Sequence, residues 1–166
     1  MIDATATLLQ EAGWSAATHG EVAKRSGYSK ATIYAHWPTT LELVRDAVTR
    51  ICDDATYPER TGDLHMDLHA ALRGLAQSIQ AGRYARIMAG AIEHASEDAI
   101  ARELRDRLYE SASCGVRRVL SAHVPPQALA PVLSMLVGAV LVRITYEGAV
   151  VSNAFLDEII SAALPA

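Results

Sequence analysis

The chain has 166 residues, a formal net charge of −4, a composition half apolar and two cysteines. That length makes one large domain or two small ones, with a core that needs no disulfide staples. An acidic balance excludes a generally adhesive nucleic-acid binder, and abundant Ala and Leu with a single Phe favour packed helices over sheets. The charge is unevenly placed. In the first 50 residues Lys24, Arg25, Lys30, Arg45 and Arg50 balance Asp3, Glu11, Glu21, Glu42 and Asp46, so the −4 lies in the remainder. Any DNA contact must therefore come from a local patch. Cys52 and Cys114 match no metal or redox spacing and read as reduced thiols. No basic leader with an apolar run opens the chain, and the most apolar run, residues 132–144, is too short to span a bilayer. A soluble cytoplasmic protein with no membrane partner is expected.

Taken in order, residues 1–12 repeat apolar side chains with helical period (Ile2, Ala6, Leu9 and Ala12, with Leu8 beside them), and Gly13 stops them. Trp14 should tuck into the core just after the stop. Thr18 with Glu21 forms a capping-box signal for a second helix, with Val22 and Ala23 inward and Gly27 as its stop. Ser29 caps a third helix, 30–36. Pro38 fits the first turn of a fourth, running to about Thr56 with Leu41, Val44, Val48 and Ile51 inward. Tyr57-Pro58 and the turn at 61–63 mark a boundary, giving domains 1–58 and 59–166. Leu64, Leu68, Leu72, Leu75 and Ile79 then form a stripe that Gly82 interrupts. A shorter helix spans about 83–94. Ser96, Glu97 and Asp98 start a long one, about 97–122. The VPP at 124–126 begins another, about 126–147, closed by Gly148. Ser152 or Asn153 caps the last, with Phe155, Leu156, Ile159 and Ile160 inside. No strand pattern competes, so the fold class is all-α.

The stretch SGYSKATIYAHWPT, residues 26–39, joins short helices through a glycine turn, as a helix-turn-helix does. On a helical wheel Ile33 and Trp37 point one way. Ala31 and Ala35 point opposite, flanked by Thr32 and Tyr34. Small central residues let such a helix sink into the major groove, where Ala or Thr methyls meet a thymine methyl. Lys30 can reach a base edge or phosphate, and hydroxyls suit phosphate oxygens. A plain surface connector has the same periodicity, so the pattern alone leaves both readings open.

From Asp3 to Val48 the chain resembles the DNA-binding domain of the tetracycline-repressor (TetR) family. The matching residues are DATATLLQEAGW, then THGEVAKRSGYSKATIYAHW from Thr18, then PTTLELVRDAV. The resemblance implies a homodimeric, ligand-responsive transcriptional regulator, usually a repressor, that binds double-stranded DNA at an operator. It maps base contacts onto Lys30, Ala31 and Thr32, and phosphate contacts onto Thr18, Tyr34 and His36. Thr40 occupies the slot where family members carry a phosphate-binding Lys, so a charge-assisted contact is weakened there. The basic arm that usually precedes the first helix is expected to be truncated or absent, and Gly20 sits inside the second helix at a cost of about 1 kcal/mol.

The resemblance also places a small-molecule effector pocket in the C-terminal helices, with Met66, Met88, Ile92, Leu104, Leu108, Tyr109 and Met135 as candidate liners. Tyr109 or Arg143 would orient the ligand. Ordinary core packing accounts for the same residues. The two last long helices suit a homodimer: Leu129, Val132, Leu133, Leu136, Val140 and Ile144 on one, Phe155 and Ile159 on the other, with Gly138 permitting close approach. Two helices from each protomer make a four-helix bundle. His65 and His69 share a helix face but lack a third ligand, so no metal is expected; no cofactor is implied. No nucleophile–base arrangement or phosphate loop is present, which excludes an enzyme. The rival reading is a helical ligand-binding or docking dimer whose DNA binding has decayed.

Overall fold

The computed structural model describes residues 1–81 and 83–164. The interruption expected at Gly82 lies outside them. Every regular element among the described residues is a helix: α1 (Ile2–Ala12), a 3-10 turn (Trp14–Ala16), α2 (His19–Ser26), α3 (Lys30–His36), α4 (Thr40–Asp53), α5 (Leu64–Gln80), α6 (Arg83–His94), α7 (Ala99–Leu120), α8 (Pro126–Thr145) and α9 (Asn153–Ala163). The chain divides into two compact units, Met1–Ala55 with Gly82–Ser111, and Thr56–Ala81 with Ala112–Ala166.

In the first unit, α1 to α4 pack with α6 and the first half of α7. Its larger cluster buries Leu9, Ala17, Val44, Ala47, Val48, Ile87, Ala91, Leu104 and Leu108. A smaller cluster of Leu8, Val22, Ile33, Trp37 and Leu43 binds the short helices together. Local signals set the boundaries. Thr18 accepts the Glu21 N–H at 3.2 Å, Ser29 accepts the Thr32 N–H at 3.0 Å, and Gly27 stops α2 with φ +75°. Asp98, one of the three residues expected to start α7, caps it by accepting the N–H groups of Ile100 and Ala101.

The start of α4 departs from expectation. Pro38 lies outside the helix, and Thr39 is the cap, forming a reciprocal capping box with Glu42. Leu43 and Ala47 lie in the core beside Val44 and Val48, while Leu41 and Ile51 are half-buried. α4 also ends earlier, at Asp53.

In the second unit, α5, α8, α9 and the rest of α7 share a core of Leu68, Leu72, Leu75, Ile79, Val116, Val119, Leu120, Val132, Leu133, Leu136, Val140, Leu156 and Ile160. α8 is longer than the apolar run 132–144, and by length and composition alone it could cross a membrane. Here its Val132, Leu133, Leu136, Val137 and Val140 are buried instead, and α8 packs on α5 and α9.

The loop before α5 is organised by one carboxylate. Asp67 is buried and accepts the Thr61 N–H at 2.7 Å, the Thr61 hydroxyl at 2.8 Å and the Gly62 N–H at 3.0 Å. These bonds, the Thr61 N–H first, hold its pKa below the ordinary 3.8. A depressed carboxylate contributes stability that is complete above its unfolded value and is lost as pH falls through its folded value. Asp67→Asn should therefore lower the urea midpoint at pH 7, and the gap from the wild type should close on acidification below 3.8. A pH-independent gap would contradict this account.

Candidate nucleic-acid interface

The three helices of the motif meet over Ile33, which is fully buried with Val22 and Leu43. α3 has seven residues, too few to be helical alone, so tertiary anchoring makes it a helix. Trp37 provides the second anchor: it is 8% exposed, and its indole N–H donates to Asp46 of α4 at 2.8 Å. With these two residues inward, Lys30, Ala31, Tyr34, Ala35 and His36 are exposed along the outer face and Thr32 is half-buried.

Among the described residues Lys30 forms no ion pair, and its ammonium lies 5.7 Å from the Tyr34 ring centroid. The cations of α2 are engaged otherwise: Lys24 pairs with Glu21 and Arg25 with Glu11, both at 2.6 Å. The Thr32 hydroxyl meets that of Ser29 at 2.7 Å. Thr18 is exposed but its oxygen serves as a helix cap, leaving its proton free to donate outward. Thr40 stands half-buried at the first position of α4.

One residue of this cluster escaped sequence reasoning. His19, at the start of α2, is 5% exposed. Its Nε2 donates to the Trp37 carbonyl at 2.7 Å, its Nδ1 lies 3.4 Å from the Thr40 hydroxyl, and its ring stacks on Tyr34 with centroids 4.0 Å apart. A lone histidine in a polar helix start reads as solvated. Only the position of α3 over it reveals the burial.

The other candidates are more dispersed. Met88, Ile92, Leu104, Leu108 and Tyr109 fall in the first unit, and Met66, Met135 and Arg143 in the second. Leu104 and Leu108 belong to the core around Leu9 and Val44. Met88 and Tyr109 are half-buried, while Met66, Ile92 and Met135 are exposed. Arg143 pairs with Glu147 at 2.7 Å and lies over the Phe155 ring. A cleft of about 590 Å³ in the first unit is lined by different residues, among them Trp14, Leu41, Arg86, Glu93 and His94. On α8, Val132, Leu133, Leu136 and Val140 are buried in the chain's own core. Leu129, Ile144, Phe155 and Ile159 are half-buried. His65 and His69 both face Asp157, at 3.7 and 3.8 Å, and among the described residues no group of three is arranged to hold a metal ion.

Comparison with known proteins agrees with this geometry. Residues 1–47 match the family of bacterial regulatory proteins, tetR family, and residues 58–163 match the tetracyclin repressor-like C-terminal domain. HTH-type transcriptional regulators of Mycobacterium bovis and Mycobacterium tuberculosis are 38% identical over 68 residues, 41% of this chain. That match spans 34% of the length of those relatives. A solved transcriptional regulator from Rhodococcus sp. Rha1 superposes with a TM-score of 0.66 at 22% identity, covering 98% of this chain and 90% of its own. A solved TetR family transcription regulator superposes at 0.67 with 26% identity, covering 96% and 92%. A helix-turn-helix with its polar face outward, followed by the C-terminal helices of the same family, places the chain in the tetR family of transcriptional regulators, DNA-binding proteins and not enzymes.

Proposed function

We propose that the chain acts in the cytoplasm as a homodimeric, ligand-responsive regulator, in the manner of a repressor, on a near-palindromic operator. Residues 1–58 form the DNA-binding part and 59–166 the ligand-binding and dimerisation part. The observation that carries the reading is the orientation of α3: Ile33 and Trp37 are buried and Lys30 stands exposed, without an ion pair among the described residues. In the major groove Lys30, Ala31 and Thr32 meet base edges, while Thr18, Tyr34, His36 and Thr40 meet the backbone. The exposed side of α8 supports dimerisation. Met135, Val142 and Tyr146 lie seven and four residues apart on one stripe, 54%, 46% and 88% exposed. A Cβ on Gly138, between them, would meet nothing of this chain within 4 Å. An effector among the C-terminal helices works only if it binds one spacing of the paired recognition helices better than the other.

Selection from a random DNA pool tests this, with wild type and Tyr34→Phe side by side. The wild type should enrich a palindrome, which the variant binds roughly tenfold more weakly through loss of a charge-assisted hydrogen bond. Salt dependence follows from the charge inventory. Lys30 is the one Lys or Arg on α3, giving two per dimer, so log affinity should fall with log salt at a slope near roughly −2, flattened in Lys30→Ala. No enrichment by a stable dimer would favour the docking-dimer reading instead.

A further inference from the structure

We infer that His19 is a positioning residue for DNA binding: buried beneath the recognition helix, it braces the Tyr34 ring and decides whether the Thr40 hydroxyl can donate to a DNA phosphate. The inference rests on the DNA-contacting roles proposed above for Tyr34 and Thr40.

The tautomer follows from the partners. A carbonyl oxygen only accepts, so the Nε2 that lies 2.7 Å from the Trp37 carbonyl carries a proton whether the ring is neutral or charged. The neutral ring then has a bare lone pair on Nδ1, 3.4 Å from the Thr40 hydroxyl. The hydroxyl has one proton. Turned inward to Nδ1, it leaves only lone pairs facing out, and a phosphate oxygen, itself an acceptor, gains nothing from them. When the ring is protonated, Nδ1–H donates to the Thr40 oxygen and the hydroxyl proton is released outward. A positive charge then lies behind the contact. The slot that holds no fixed cation thereby acquires a conditional one.

Stacking adds the second role. The His19 and Tyr34 rings are within 9° of parallel, and Lys30 approaches the Tyr34 ring as well. Tyr34 is held against His19, its hydroxyl in a fixed place at the groove edge.

The charged groups on the surrounding elements are accounted for. On α2 these are Glu21, Lys24 and Arg25, joined in the pairs Glu21–Lys24 and Arg25–Glu11 of α1. α3 carries Lys30, Tyr34 and His36. On α4, Glu42 accepts from Thr39, Asp46 accepts from Trp37 and Arg45, Arg50 pairs with Asp54, and Asp53 pairs with Arg107. None of these carboxylates bonds His19, whose hydrogen-bond partners are the Trp37 carbonyl and the Thr40 hydroxyl. An arriving phosphate favours the arrangement with the hydroxyl proton outward, so DNA and proton bind cooperatively.

The test measures affinity for the selected DNA from pH 8 to about 5.5. It uses a His36→Gln background, which removes the other imidazole on this face. Affinity should rise toward acid roughly tenfold, the scale of ordinary coupling between two binding events. Adding His19→Gln should flatten the profile. So should Thr40→Val, which leaves the histidine and the buried packing in place and so answers for any loss of folding in the first variant. His19→Phe, which keeps an aromatic ring under Tyr34, should bind more tightly than His19→Gln at pH 8 and remain flat. A slope that survives Thr40→Val overturns the hydroxyl role; equal binding by the Phe and Gln variants overturns the bracing role. In the free protein, ring ¹⁵N shifts should report the Nε2-protonated neutral form, and an Nδ1-protonated one overturns the inference without reference to DNA. A wild type that enriches no DNA removes the DNA reading itself, whatever the tautomer.

Discussion

Gly90→Ala should destabilise the protein by about 2 kcal/mol, although alanine is the better helix former. Gly90 lies in α6, where replacing glycine by alanine would ordinarily gain up to about 1 kcal/mol. Sterics reverse the sign. An added Cβ would lie 2.4 Å from Cγ of Trp14, 2.5 Å from Cδ1 and 2.7 Å from Cδ2. These atoms belong to the root of a rigid ring, not the end of a flexible chain. The indole is half-buried against the cluster around Leu9 and Ile87 and stacks on His94 at 5.6 Å, so displacing it disturbs that packing. Forced overpacking costs about 1–3 kcal/mol, or more where the contact is this short. Urea unfolding and near-ultraviolet circular dichroism read the result: a lower midpoint and an altered tryptophan band. Pairing the change with Trp14→Ala isolates the clash. The double variant should be less destabilised than the sum of the singles by at least about 1 kcal/mol. Wild-type stability in Gly90→Ala would show that the ring yields freely, and that the close fit holds nothing in place.

The Trp14–Gly90 contact also marks where sequence reading stops. Capping chemistry is local, so Thr18, Ser29 and Gly27 could be read directly, and with them the motif and its exposed face. Pro38 misled by two positions, because Thr39 and Glu42 form a stronger start than a proline at the first turn. The apolar spacing of α4 separately passed over Leu43, which is fully buried. Side chains whose role depends on a distant partner left no trace. Trp14 was placed near the core, but its seat on Gly90 lies 76 positions away. His19 looked solvated because nothing near it in sequence covers it. Asp67 carries no sequence signal of its role, yet it binds the loop that precedes its own helix. On α8 the difficulty is of another kind. Every face of that helix is apolar, so periodicity cannot separate Val132, Leu136 and Val140, which the chain buries itself, from Met135, Val142 and Tyr146, which it leaves exposed.

The second large effect is expected at Ile33, where one side chain links stability to DNA binding. Ile33→Ala should cost about 3 kcal/mol, the ordinary range for a buried isoleucine cut to alanine. The residue is fully buried among Leu8, Val22, Trp37 and Leu43, in the cluster that joins α1, α2, α3 and α4. A cavity there cannot close easily, since those partners come from three other helices and from Trp37 at the end of α3. The consequence for function follows from the length of α3. Seven residues cannot sustain a helix by hydrogen bonding alone, so losing one of two anchors releases the whole element. Lys30, Tyr34 and His36 then lose their common face, and DNA affinity should fall by far more than any one of their contacts supplies. Urea unfolding gives the stability change, and titration of labelled DNA gives the affinity. Ile33→Val serves as the graded control: it should cost about 0.5–1.5 kcal/mol and leave binding nearly intact, because the β-branched anchor still fills most of the site. If Ile33→Ala bound DNA like the wild type at a temperature where it remains folded, α3 would not be the element that enters the groove. The polar face of residues 30–36 would then need another explanation.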